Sequence, residues 1–177
     1  MVEDEASNQD TSRPEAPIKN GTLRKYLRIT IHNKGRERAE NCDAVLTLIK
    51  HNSTSILQPS QERKRLVWDT GENHRTIGAR KGTAFLDITF SQDSFSISQR
   101  DPNKPEVPQN EKIYAKVSTM NSLNNLDVSN IFFAEDGIGI GTTYFKLLVK
   151  TITGESTEAV LKITVTDNWH DLNMAIV

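Results

Sequence analysis

The stretch Tyr26 to Ile49, YLRITIHNKGRERAENCDAVLTLI, decides the fold. Its first run puts Leu27, Ile29 and Ile31 on one face and Arg28, Thr30 and His32 on the other, the period-two pattern of a strand with one wet side. Asn33-Lys34-Gly35 ends the run, because Asn tolerates and Gly readily supplies the positive φ of a tight turn or bulge. Arg36, Glu37 and Arg38 form a solvated connection. A second run starts near Cys42 and groups Cys42, Ala44, Leu46 and Leu48, while Val45 and Ile49 make its opposite face more apolar than that of the first. The second strand is therefore expected to lie deeper in its sheet.

Further strands follow downstream. Leu66-Val67-Trp68 reads as a short strand whose Trp68 anchors the core, and Asp69 to Arg75 as a polar turn around Gly71. From Thr83 to Ser91, Leu86, Ile88 and Phe90 share one face and Phe85, Asp87 and Thr89 the other. Phe95 and Ile97 suggest a short edge strand, and Lys112 to Thr119 a strand with Ile113, Ala115 and Val117 inward. Thr142 to Ile152 and Ala159 to Thr166 make the clearest hairpin, with Phe145, Leu147 and Val149 matching Leu161, Ile163 and Val165 around the turn Gly154-Glu155-Ser156-Thr157. The carboxy-terminal Trp169, Leu172, Met174, Ile176 and Val177 are too apolar for a free tail, and are expected to add a last strand or dock on a partner.

Between these lie polar connections. His51 to Gln61 is a loop, as is the proline-bearing segment Ser98 to Glu111, and loops of that length are mobile or functional. Met120 to Asn130 reads equally as a packed loop or one helical turn, Ile131-Phe132-Phe133 as a short apolar run, and Asp136 to Gly141 as a flexible glycine-rich connection. All six prolines and all nine glycines fall outside the expected strands. With no long helical periodicity and no alternation of strand and helix, the pattern gives an all-β, antiparallel immunoglobulin-like β-sandwich of about eight strands. Residues 1–20 hold too few apolar side chains to offset their ordering entropy and are expected to be a disordered polar leader; residues 21–177 form a single domain.

Composition places the chain with globular proteins. The formal net charge of −1 argues against a globally basic nucleic-acid binder, though not against local patches. The one cysteine, Cys42, has no intrachain disulfide partner and sits where a small core residue is wanted. No apolar run approaches the ~18 to 20 residues that span a bilayer. A soluble chain is expected, either cytoplasmic or the soluble part of a longer envelope protein. Asn20-Gly21-Thr22 and Asn52-Ser53-Thr54 fit the glycosylation acceptor pattern, which matters only on a secreted chain.

Leu27-x-Ile29-x-Ile31-x-Asn33-x-Gly35, followed by Ala39-x-x-Cys42-x-Ala44-x-Leu46, resembles the opening of immunoglobulin-like sandwiches in prokaryotic proteins, including the cell-adhesion-related (CARDB-type) family of bacteria. Gly141-Thr142-x-Tyr144 resembles the start of a late strand in the same class, and Leu66-x-Trp68, Leu86-Asp87-Ile88 and Asp167-Asn168-Trp169 resemble an uncharacterised prokaryotic variant. The likeness covers about half the chain by pattern. It implies recognition or a structural role and transfers no active-site residue. The long loops and the missing paired cysteines of antibody domains depart from it.

Chemistry-bearing motifs are sparse. Asp136 to Gly141 lacks the following helix of a dinucleotide fingerprint. His32, His51, His74 and His170 show no metal-ligand spacing among themselves or with Cys42, and Asp87, Asp93, Asp101 and Glu106 match no calcium loop. No catalytic, cofactor or metal residue is assigned. Two features remain. Arg63, Lys64, Arg65, Arg75, Arg80 and Lys81, with His74, form a candidate patch for an anionic partner. Tyr26, Tyr114 and Tyr144, all opposite the expected core face, are candidates for stacking on carbohydrate. The expected function is a non-enzymatic binding or assembly module, with a carbohydrate-binding module next and a hydrolase without an identifiable active site third. A protein partner or self-association is expected, carbohydrate is an alternative, and nucleic acid is not expected.

Overall fold

The computed structural model describes residues 24–52, 54–55, 63–92, 113–117, 137–166 and 168–177. They form eleven strands: β1 (Arg24–Asn33), β2 (Ala39–His51), β3 (Thr54–Ser55), β4 (Arg63–Arg65), β5 (His74–Ile77), β6 (Gly82–Gln92), β7 (Ile113–Val117), β8 (Gly137–Gly139), β9 (Gly141–Lys150), β10 (Ser156–Val165) and β11 (Asn173–Ile176). One sheet has the order β1-β6-β7-β8; the other runs β11-β10-β9-β2, with β3, β4 and β5 sharing the far edge of β2. Every pairing is antiparallel. The strand count exceeds eight because three short pieces take turns along one edge. Among the described residues no helix is long and apolar enough to cross a membrane.

The alternation read from the sequence builds one core between the sheets. Ile29 and Ile31 of β1 and Ala84, Leu86 and Ile88 of β6 meet Cys42, Ala44, Leu46 and Leu48 of β2, Phe145, Leu147 and Val149 of β9, and Leu161, Ile163 and Val165 of β10. β2 is the deep strand, flanked by β9 on one side and by the three short pieces on the other. The apolar carboxy-terminal segment adds to the sheet as β11, with Leu172 buried and Met174 and Ile176 packed against the core.

Several expectations need correction. Leu66-Val67-Trp68 is not the strand; Arg63–Arg65 is, and Leu66 to Trp68 carries the chain from one sheet to the other. Leu66 N–H donates to Ala44 O in β2, while Trp68 bridges to Leu86 in β6 and its indole N–H donates back to Cys42 O. Trp68 thus stitches both sheets. The polar turn ends sooner than Arg75, since His74 and Arg75 already pair with β2. Glycines do enter strands: Gly82 opens β6, Gly141 opens β9, and Gly137 and Gly139 flank the fully buried Ile138 in β8, which replaces the expected flexible connection. Phe90 does not share the face of Leu86 and Ile88. A bulge makes the β1 register skip Ile88, so Thr89 falls opposite Leu27 and Phe90 opposite Tyr26, turning Phe90 to the outer side.

Residues 1–20, the loop 98–111, the segments 120–130 and 131–133, and the expected strand at Phe95 and Ile97 lie outside the described residues.

Candidate interaction surfaces

The described residues expose three surfaces on which binding chemistry can be built: two outer sheet faces and the end where β1 turns into β2. That end is the most ordered assembly of polar groups. Asn33 at the close of β1 donates its side-chain Nδ2 to Glu37 O at 2.8 Å, Gly78 O at 3.0 Å and Ile77 O at 3.3 Å, and its Oδ1 accepts Gly35 N–H at 2.9 Å. Arg80 N–H closes the arrangement on Gly35 O at 2.7 Å. The β1–β2 and β5–β6 turns, 45 positions apart in sequence, are therefore locked together. Arg80 holds φ 63°, a left-handed conformation that costs a non-glycine residue about 1 kcal/mol or more and persists only where the surroundings impose it. The lock gathers Lys34, Arg36, Arg38, Arg80 and Lys81, all exposed, with the exposed acids Glu37 and Glu40 among and beside them.

The outer face of the larger sheet is also basic, and its composition follows from register. Opposed residues share a face, so those paired with the outward Asp43, Val45 and Thr47 of β2 point outward too. β4 and β5 contribute Arg63, Arg65 and His74; β9 contributes Lys146 and Lys150, with Lys50 of β2 opposite Tyr144; β10 adds Lys162 beside Tyr144. Against these stand Asp43 and Glu158. Arg65 pairs with Asp43 at 2.7 Å and Lys146 with Glu158 at 2.8 Å. Lys50 Nζ sits 4.5 Å from the centre of the Tyr144 ring. Arg63, Lys150 and Lys162 have no ion-pair partner among the described residues.

The sequence-predicted anionic-partner patch is thus divided three ways. Arg63 and Arg65 join the outer face. Lys64 and Arg75, opposite the core-facing Leu46 and Cys42, lie half-buried on the other side of the same edge. Arg80 and Lys81 belong to the locked end. What the sequence reading missed are Lys50, Lys146, Lys150 and Lys162, single lysines in separate strands that only register assembles, and the three cations of the first turn. A local signal existed only for the first turn, where Lys34, Arg36 and Arg38 fall within five residues.

Two of the three stacking candidates, Tyr26 and Tyr144, lie on different surfaces. Tyr26 lies on the outer face of the smaller sheet, its ring 5.5 Å from that of Phe90. Tyr144 lies on the outer face of the larger sheet, across the sandwich. The Tyr114 side chain is outside the described set.

The outer face of the smaller sheet is built for packing. Arg28 Nε donates to Asp87 Oδ1 at 2.7 Å, with both side chains largely buried, and the guanidinium lies 5.4 Å from the Phe85 ring centre. Asp87 is therefore committed to an ion pair; Asp93, Asp101 and Glu106 lie outside the described residues.

Cys42 is buried, its Sγ within 3.4 Å of Ala39 O, and burial raises its thiol pKa. It packs and carries no thiolate character. His51 makes the one histidine constellation. Its Nδ1 lies 2.7 Å from Thr143 Oγ1 and its Nε2 3.1 Å from Asn52 Nδ2. Asn52 Oδ1 already accepts Thr142 N–H at 2.9 Å, so the Asn52 amide must donate to Nε2, which is then unprotonated. Desolvation lowers the His51 pKa, opposed by a backbone hydrogen bond at Ile140. Thr143 is fully buried, which keeps its hydroxyl from any substrate. Gly141, at φ 126°, is required here, because a Cβ would collide with the Asn52 amide.

The free edge of β11 is blunted. Val177 N–H donates to Val160 O, so by alternation the N–H groups of Met174 and Ile176 face away from β10. The first is taken by Asn173 Oδ1 at 2.8 Å. That leaves little ladder for an incoming strand.

Fold and surfaces together define an all-β antiparallel sandwich with a cationic end and a cationic face. No family model, curated protein or solved structure matches the chain.

Proposed function

We propose that this chain is a non-enzymatic recognition module that binds an anionic partner through the locked turns at the end of its sandwich. The observation that carries the reading is the lock itself: Asn33 and Arg80 fix two turns so that five cations, Lys34, Arg36, Arg38, Arg80 and Lys81, face solvent with two acids, Glu37 and Glu40, near them. Like charges crowded on rigid loops repel one another, and an anionic ligand relieves that repulsion. A site ordered before binding also loses less loop entropy on association. Arginine dominates the cluster, and its planar fork suits oxyanions such as phosphate, sulfate or carboxylate. The resemblance to prokaryotic cell-adhesion-related sandwiches supports recognition as the class of role.

Fluorescence anisotropy with a labelled oligonucleotide, a sulfated oligosaccharide and a polyglutamate peptide tests the reading. At least one probe is expected to bind at low salt and to release as salt rises. Arg36→Gln/Arg38→Gln/Arg80→Gln is expected to weaken that binding at least tenfold, about 1.4 kcal/mol, with an unchanged melting temperature. Absence of binding by all three probes at low salt would end the proposal.

A further inference from the structure

The locked end is continuous with the basic outer face of the larger sheet. β2 leaves the first turn at Ala39, and four positions later Asp43 stands between His74 and Lys150 on that face. The β9–β10 turn closes on the same region through Ile152 N–H to Glu40 O. From there cations continue along the face: Arg65 beside Val45, then Arg63 and Lys146 on either side of Thr47, then Lys50 and Lys162 on either side of Tyr144. From Asp43 to Lys50 this is about 24 Å of strand. Of the acids on or beside the route, Asp43 and Glu158 are each held by one cation, and Glu40 and Glu155 lie exposed where the β9–β10 turn meets β2.

We infer that the anionic partner is a single-stranded nucleic acid, whose phosphodiester backbone crosses the locked turns and follows the outer face of the larger sheet to Lys50, Tyr144 and Lys162. This deepens the anionic-partner reading and rests on it. Shape selects the class of partner. The cations follow one strand for about 24 Å, a line that suits a linear polymer. Chemistry narrows it further. The track is a charge ladder that ends at one aromatic ring, Tyr144, where a stacking base takes the place of Lys50 Nζ, 4.5 Å from the ring centre, and frees that ammonium for phosphate. Both Arg36 and Arg38 offer bidentate donors to phosphate at the entrance. The outer face of the smaller sheet, by contrast, has its Arg28 already paired with Asp87. The net charge of −1 argues against a globally basic binder and not against a local cationic track of this kind.

The test uses the full chain and a labelled oligothymidylate about 12 nucleotides long, within the range of single-strand binding sites. The logarithm of the association constant is measured against the logarithm of salt, where each neutralised phosphate contributes about −0.7 to the slope. For about six contacts the expected slope is about −4. Two triple variants, one at the end (Arg36→Gln/Arg38→Gln/Arg80→Gln) and one on the face (Lys50→Gln/Lys146→Gln/Lys162→Gln), are each expected to make it shallower by about 2. Tyr144→Leu is expected to weaken binding about tenfold without changing the slope, since stacking and not charge is lost. Circular dichroism and melting curves identify any variant that fails to fold; for such a variant, the matching Arg→Lys or Lys→Arg set must retain the slope. Three results overturn the inference: an oligothymidylate slope unaffected by the face variant; binding of sulfated polysaccharide or anionic vesicles with none of oligothymidylate; and no binding of any polyanion. Only the last also overturns the proposed function.

Discussion

The two outer faces of the sandwich are written in the same alternating grammar and do opposite things. On the smaller sheet the outward Arg28, Asp87, Tyr26 and Phe90 pair with one another, and Asp87 and Phe90 are 7% and 0% exposed. On the larger sheet six lysines and arginines, Lys50, Arg63, Arg65, Lys146, Lys150 and Lys162, are interspersed with apolar and hydroxyl side chains and two acids, and four of the six stand exposed. An outward position in a strand is therefore no measure of exposure. The smaller sheet's face contributes stability, and the larger sheet's face holds unopposed charge available to a partner.

The sharpest way to break this comparison is to remove one member of the buried pair. Asp87→Ala leaves the Arg28 guanidinium largely buried, with its Nη2 already lacking a hydrogen-bond partner. The expected loss is about 3 kcal/mol of unfolding free energy in urea titration. Replacing both partners, Arg28→Met/Asp87→Leu, is expected to restore most of it, because no unpaired charge then remains. A loss below about 1 kcal/mol for Asp87→Ala would put this pair in the exposed class and erase the contrast. Next in size, Phe90→Ala is expected to cost about 3 kcal/mol or slightly less through the cavity beside Tyr26, provided the bulge is as described.

Those two residues also mark how far the sequence could be read. Long alternating runs made β1, β2, β6, β9 and β10 legible, since each offers several apolar residues at period two to a single core. Phe90 was assigned to the wrong face because strict alternation counts residues, while the bulge is set by how β6 pairs with β1. β4 and β5 were missed, or shifted by a few residues, because each is three or four residues long with at most one apolar side chain. Two members of the basic face, Arg63 and Arg65, were visible in the local run Arg63-Lys64-Arg65. The lysines were not, because Lys50, Lys146 and Lys162 lie in three different strands and become neighbours only through the β2–β9–β10 register.

A smaller effect lies at the far edge of the basic face, where His51 is held neutral. Its folded-state pKa is lowered, chiefly by burial, so the unfolded chain binds this proton more readily. Stability attributable to His51 is therefore complete above its ordinary pKa of about 6.5 and declines as pH falls below that value toward the lowered one. His51→Gln is expected to flatten that part of the stability–pH curve. If the slope persists unchanged in the variant, another group is responsible and the Asn52–His51 tautomer assignment loses its support.

The smallest expected effect is the most direct counterpart to Asp87→Ala. Arg65 and Asp43 are as close as Arg28 and Asp87, 2.7 Å in both pairs, but the Arg65 side chain is 51% exposed. Water screens the attraction, and holding a long side chain in one rotamer costs entropy, so Arg65→Ala is expected to change stability by less than about 1 kcal/mol. The same substitution bears on binding differently. Removing Arg65 leaves Asp43 unpaired in the middle of the basic track, so the variant loses a cation and uncovers an acid together. Polyanion affinity is then expected to drop more than for Arg63→Ala, whose cation has no acid beneath it, while both variants melt within a degree or two of the parent. Equal affinities for the two variants would mean that the partner never passes over this part of the face. A large fall in melting temperature for Arg65→Ala would mean that the two outer faces do not differ in kind.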